Sequence, residues 1–123
     1  MMPDDWESAY RKTGNYPNST INSGKWLIFV NKTKIEQLWK KIKEATETGK
    51  LGAESKVFTF NHKEWIICVY TYDGTDHTDK NHIREELRDM GIINEIRYKT
   101  DRETRTRTKT RKIRKLSEFG GKT

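Results

Sequence analysis

The sequence predicts a single α+β domain: a largely antiparallel sheet with two helices packed on one of its faces. Three observations carry this prediction. Apolar strand-like runs and helix-period segments alternate in the order β-α-β-β-α-β, with a further strand possible after them. The two middle strands are separated only by a short hairpin turn. And 123 residues leave room for one modest core, since a chain of this size buries roughly two thirds of its unfolded surface.

Residues 1–23 are expected to form an irregular arm, because Pro3, Gly14, Asn15, Pro17, Asn18, Asn22 and Ser23 favour turns. A short helix is expected near 4–11, and Trp6, Tyr10 and Tyr16 are expected to pin the arm to the body. The domain proper is placed at 24–101. It opens with Trp26-Leu-Ile-Phe-Val30, a continuous apolar run suited to a strand buried on both faces. Thr33-Lys-Ile-Glu36 has the spacing of a capping box. Ile35, Leu38, Trp39 and Ile42 then recur at helical spacing, opposite Lys34, Lys40, Lys41 and Lys43, and Gly49 ends the helix.

Lys56–Phe60 and Trp65–Tyr70 read as two strands joined through Asn61–Glu64. Asp76 or Thr78 caps a second helix whose buried stripe is Ile83, Leu87 and Met90, and Gly91 supplies its left-handed C-cap. Ile92–Lys99 alternates as a further strand. Past a turn at Thr100–Glu103, Thr104 to Arg111 alternate strictly between threonine and a cation. That pattern predicts an edge strand with Arg105, Arg107, Lys109 and Arg111 in a row, spaced about 6.6 Å apart. Residues 102–123 therefore read as a basic C-terminal extension, an edge strand followed by a tail.

The net charge of +7 is concentrated there. Residues 1–99 hold 16 Lys/Arg against 15 Asp/Glu, whereas residues 100–123 hold nine against three. A basic arm on a near-neutral body points to a polyanionic partner. The longest apolar run, Trp65–Tyr70, is far short of the roughly 20 residues that span a bilayer, so no membrane partner is expected. No signal segment opens the chain, which gives a cytoplasmic expectation. The single cysteine, Cys68, excludes a multi-cysteine zinc site and an internal disulfide.

Several spaced motifs carry a family resemblance. They are Gly24-Lys-Trp-Leu-Ile-Phe29, Leu38-Trp39, Leu51-Gly52, Ile67-Cys-Val-Tyr-Thr71, Arg84-Glu-Glu-Leu-Arg88 with Gly91-Ile92, and Tyr98-Lys-Thr-Asp101 with Thr104. Over about residues 24–104 the chain resembles the family of the basophilic-leukaemia-expressed protein, some of whose members are named for a phosphothreonine lyase domain. The resemblance implies a fold like that of the messenger-cap-binding translation initiation factor, a curved antiparallel sheet backed by helices.

Cap binding itself needs two aromatic side chains around a methylated purine, with an acid and cations beside them. Trp26 and Trp39 lie in apolar stripes and are expected in the core. Trp6 and Trp65 are the tryptophans left to be exposed, and nothing in the sequence brings them together. The lyase name implies a base, an acid and phosphate-binding cations, for which Lys99, His77, Arg84 and Arg97 are the right residue types. No lyase motif matches them in place. Asp73, Asp76, His77 and Asp79 lack a metal-ligand spacing and read as turn and cap residues, so no metal and no cofactor is expected. Cys68, inside an apolar strand, reads as an inert thiol.

The function read from the sequence is non-catalytic RNA binding, associated with the ribosome or another structured RNA of the translation apparatus. Arg105, Arg107, Lys109 and Arg111 bind phosphates, with Arg102, Lys112, Arg114 and Lys115 in support. The alternatives are a phosphothreonine-directed lyase and an interaction module that homodimerises through an exposed strand edge.

Overall fold

The computed structural model describes residues 5–103 of the chain. Seven elements follow one another: β1 Trp6–Tyr10, β2 Gly24–Asn31, α1 Ile35–Glu47, β3 Glu54–Thr59, β4 Glu64–Thr71, α2 His77–Asp89 and β5 Arg97–Thr100. The strands form one antiparallel sheet in the order β1-β3-β4-β2-β5. The expected β-α-β-β-α-β succession is β2 through β5, so the α+β class stands.

Register divides every strand into two sets of side chains. One set holds Trp26, Ile28 and Val30 of β2 against Val69, Ile67 and Trp65 of β4, with Val57 and Ala9 further along. All are buried, and both helices cover this face. Helix α1 adds Ile35, Trp39, Ile42 and Ala45, and α2 adds Ile83 and Leu87. Polar contacts fix the same arrangement. Thr46 Oγ1 meets Ser55 Oγ at 2.7 Å, Lys43 Nζ reaches Glu7 Oε2 at 2.7 Å, and Trp26 Nε1 donates to the Lys80 carbonyl at 3.1 Å.

Both helices end as glycine requires. Gly49 and Gly91 take φ of +86° and +99°. The N–H groups of Lys50 and Ile92 then reach back to the carbonyls of Ala45 and Leu87, closing a Schellman turn in each case.

Four local expectations are corrected. The helix expected near 4–11 is strand β1, which takes the open edge of β3: pairing there outweighs the weak helical preference of a five-residue segment. Trp6 and Tyr10 do not pin the arm; they point away from the core. Tyr16 does pin it, donating to Asp79 Oδ2 at 2.6 Å and accepting from the Tyr72 N–H at 3.2 Å. Thr33 and Glu36 do not form a capping box. Lys34 is the N-cap of α1, and Thr33 instead donates its N–H and hydroxyl to Asn31 Oδ1.

Lastly, the strand expected from Ile92 begins only at Arg97. Arg88 Nη1 donates to the carbonyls of Ile92 at 2.8 Å and Asn94 at 2.6 Å, tying that segment to α2 instead of to the ladder. Residues 101–103 are helical, and the strand expected over 104–111 lies outside the described residues.

Candidate functional site

The second set of side chains lies on the face that neither α1 nor α2 covers. Register aligns four apolar residues straight across it: Trp6 of β1 faces Phe58 of β3, Phe58 faces Ile66 of β4, and Ile66 faces Phe29 of β2. With neighbouring strands about 4.8 Å apart, the row is roughly 14 Å long. Trp6 is 62% exposed and Phe29 57%, and Phe58 and Ile66 between them are half-buried. Phe60 extends the patch, its ring meeting that of Phe58 edge to face at 5.4 Å. Exposed aromatics in one plane are costly in water unless something covers them, and contiguous patches of this kind mark binding surfaces.

The next row is Ser8, Lys56, Cys68, Leu27 and Arg97. It brings cations beside the aromatics. Lys56 Nζ stands 5.5 Å from the centre of the Trp6 ring. Arg97 lies 3.8 Å from Glu95, an ion pair with both partners exposed and so of little strength. Cys68 is buried between these side chains, and burial pushes its thiol up to about 11, so it stays protonated and is no nucleophile. In the third row Lys25 is neutralised: it donates to Asp101 Oδ1 at 2.9 Å, and Ser23 Oγ holds the other carboxylate oxygen at 2.8 Å.

The tryptophans divide as the core pattern dictates. Trp26, Trp39 and Trp65 are buried, and Trp6 is the exposed one. Trp65 was a candidate for exposure on sequence grounds, but alternation in β4 turns it inward beside Val30.

The residues of the lyase alternative are divided between the two sides of the sheet. Lys99 lies opposite Lys25, and Arg97 opposite Leu27, on the uncovered face. His77 and Arg84 belong to α2, which packs over Trp26 and Tyr98 on the other face. The sheet therefore separates the would-be base from the would-be acid.

The aspartates at the start of α2 are engaged locally. Asp73 Oδ1 accepts from the N–H and hydroxyl of Thr75, at 2.8 and 2.6 Å. Asp76 caps the helix through the Asp79 N–H at 3.0 Å and accepts the Tyr72 hydroxyl. The Tyr72 bond chiefly, and the Asp79 N–H next, hold the Asp76 carboxyl below the usual range. The same bond is the main reason that the Tyr72 phenol is pushed up to about 12. Among the described residues, no cluster of His, Cys, Asp and Glu is arranged to hold a metal.

Of the eight cations assigned to phosphate contact, Arg102 is exposed just past β5. Arg105, Arg107, Lys109, Arg111, Lys112, Arg114 and Lys115 lie outside the described residues. The aromatic row was not found from the sequence, because Trp6, Phe29 and Phe58 are brought together by pairing between strands distant in the chain. No described helix is long and apolar enough to cross a membrane.

The chain is similar in fold to a solved complex of C. elegans eIF4E-3 with the 4E-binding protein Mextli and a cap analog, with a TM-score of 0.57 and 18% identity. The similarity covers 70% of this chain and 54% of that one, so this chain spans about half of it. The family described as basophilic leukemia-expressed protein Bles03 matches residues 17–105, and the chain belongs to that family. No curated protein matches it.

Proposed function

We propose that this chain is a non-catalytic RNA-binding protein that works with the translation apparatus in the cytoplasm. Unpaired bases stack on the row Trp6, Phe58, Ile66 and Phe29. Lys56, Arg97 and the cations of residues 102–123 meet the phosphates. The observation that supports this reading is the row itself: aromatics on one uncovered sheet face, beside lysine and arginine, are what sequence-tolerant recognition of single strands requires. The charge asymmetry of the chain adds a salt-dependent contribution. The similar structure is a complex with a cap analog and a 4E-binding protein, which supports a translation-related binding role.

A base sandwiched between two tryptophans does not belong to this proposal, because Trp6 is the exposed tryptophan. Stacking here is one-sided, on a platform. The test is retention of RNA from native cell extract at low salt. The intact chain is compared with a Trp6→Ala/Phe29→Ala variant and with one carrying glutamine at 105, 107, 109 and 111. RNA on the intact chain and its loss from both variants is the expected result. Equal retention by all three, or by none, contradicts the proposal.

A further inference from the structure

The strand β5 is shorter than the strand it pairs with. Its four residues cover Gly24 to Leu27 of β2 and, among the described residues, leave Ile28 to Asn31 without a strand neighbour on that side. Two hydrogen bonds fix which backbone groups are left open. Asp101 N–H donates to the Ser23 carbonyl, so the odd-numbered residues of β2 turn their N–H and C=O toward β5. Lys32 N–H donates to the Lys63 carbonyl, so the even-numbered ones turn toward β4. In this register the residue facing Phe29 is 95, which lies outside β5. Phe29 therefore presents an N–H and a C=O at an open strand edge.

That edge forms one wall of a cleft of about 460 Å³. Lys34, the N-cap of α1, Gln37 and Lys41 of that helix, and Asn94 also line it. Leu38, Met90 and Ile92 add an apolar part to its lining. Among the described residues no lining residue is acidic, and neither Lys34 nor Lys41 has a carboxylate partner. Arg88 holds the segment 92–94 in place through its two carbonyl bonds, which keeps the cleft from closing onto β2.

We infer that this cleft takes an extended acidic peptide segment of a partner protein, which adds a short strand at Phe29. An open backbone edge selects an extended chain. The two lysines select negative charge, and the apolar part of the lining accepts alternate side chains. A nucleic acid would satisfy the lysines but would leave the strand edge unpaired. The inference stands apart from RNA binding on the sheet face.

The test uses the full chain and a labelled ten-residue peptide of alternating glutamate and valine, followed by fluorescence polarisation at low salt. A second copy of the peptide carries methyl groups on alternate backbone nitrogens, and an oligouridine of equal charge serves as the nucleic-acid probe. Binding of the first peptide is expected to weaken at least about tenfold in Lys34→Glu/Lys41→Glu, and by a similar factor on methylation. Amide hydrogen exchange at Phe29 is expected to slow when the peptide is bound. Both lysines are exposed, and an unchanged melting temperature shows that the variant still folds. Equal binding of the methylated peptide, unchanged exchange at Phe29, or oligouridine binding lost in the lysine variant while the peptide fails to bind overturns the inference.

Discussion

Trp6 has little to do in the folded chain. It is 62% exposed, at an edge strand, and its neighbours on that face are Phe58 across the ladder and the Lys56 ammonium above its ring. Trp6→Ala is therefore expected to leave the melting temperature nearly unchanged while costing about 1–3 kcal/mol of affinity for single-stranded RNA, as lost base stacking does. Asp76 behaves oppositely. It caps α2 and holds the Tyr72 hydroxyl, and both bonds favour its ionised form. Its folded pKa is thus lowered. The stabilisation is present above the ordinary carboxylate range, near pH 4, and is lost as pH falls through the lower folded value. Thermal melts of the wild type and Asp76→Ala are expected to differ at pH 7 and to converge as the pH is lowered past 4. Asp76 was legible as a cap from its place before a helical stripe. The work of Trp6 was not legible, because it depends on which strand lies beside it.

At the scale of elements, the N-terminal segment is joined to the body by one side chain above all. The Arg11 guanidinium donates to the carbonyls of Leu51 at 2.6 Å and Gly49 at 3.1 Å, and its Nη1 reaches Thr13 at 3.2 Å. It also lies 5.0 Å from the centre of the Tyr16 ring. Arg11 thereby fastens the end of β1 to the turn between α1 and β3. Arg11→Ala is expected to lower unfolding free energy by about 1.5–3 kcal/mol, measurable by urea titration, and to raise amide exchange in β1 first. Close packing of the same turn explains Gly52. A Cβ there would lie 2.1 Å from the Tyr70 carbonyl oxygen, so Gly52→Ala is expected to cost at least about 1–3 kcal/mol or to prevent folding.

These elements also mark how far the sequence could be read. The core strands and both helices follow from local periodicity: Trp26, Ile28 and Val30 alternate inward, and Ile35, Trp39 and Ile42 recur on one helical face. Strand β1 does not, because five residues with one buried alanine carry no period of their own. Thr33 misled for a similar reason. Its spacing to Glu36 fits a capping box, but Asn31 two residues earlier competes successfully for its hydroxyl.

The whole molecule combines a nearly neutral body with a strongly basic end. If residues 102–123 meet phosphates, affinity for RNA falls steeply with salt, and each lost contact reduces the slope of log K against log salt by about 0.7 for a single strand. Replacing Arg105, Arg107, Lys109 and Arg111 with glutamine in the full chain is expected to lower that slope by about 2–3 without changing the melting temperature. Loss of Trp6 is expected to lower affinity at every salt concentration and leave the slope alone, since stacking releases no counterions.

The separation of stacking from charge can be seen directly in fluorescence. Three tryptophans are buried and Trp6 alone is open to a base, so titration of the full chain with oligouridine should quench Trp6 selectively. A saturable loss of emission is expected, with a midpoint of about 1–100 µM at physiological salt, and it is absent in Trp6→Phe. Emission that stays constant throughout the titration, or quenching that persists unchanged in Trp6→Phe, would contradict RNA recognition on this face.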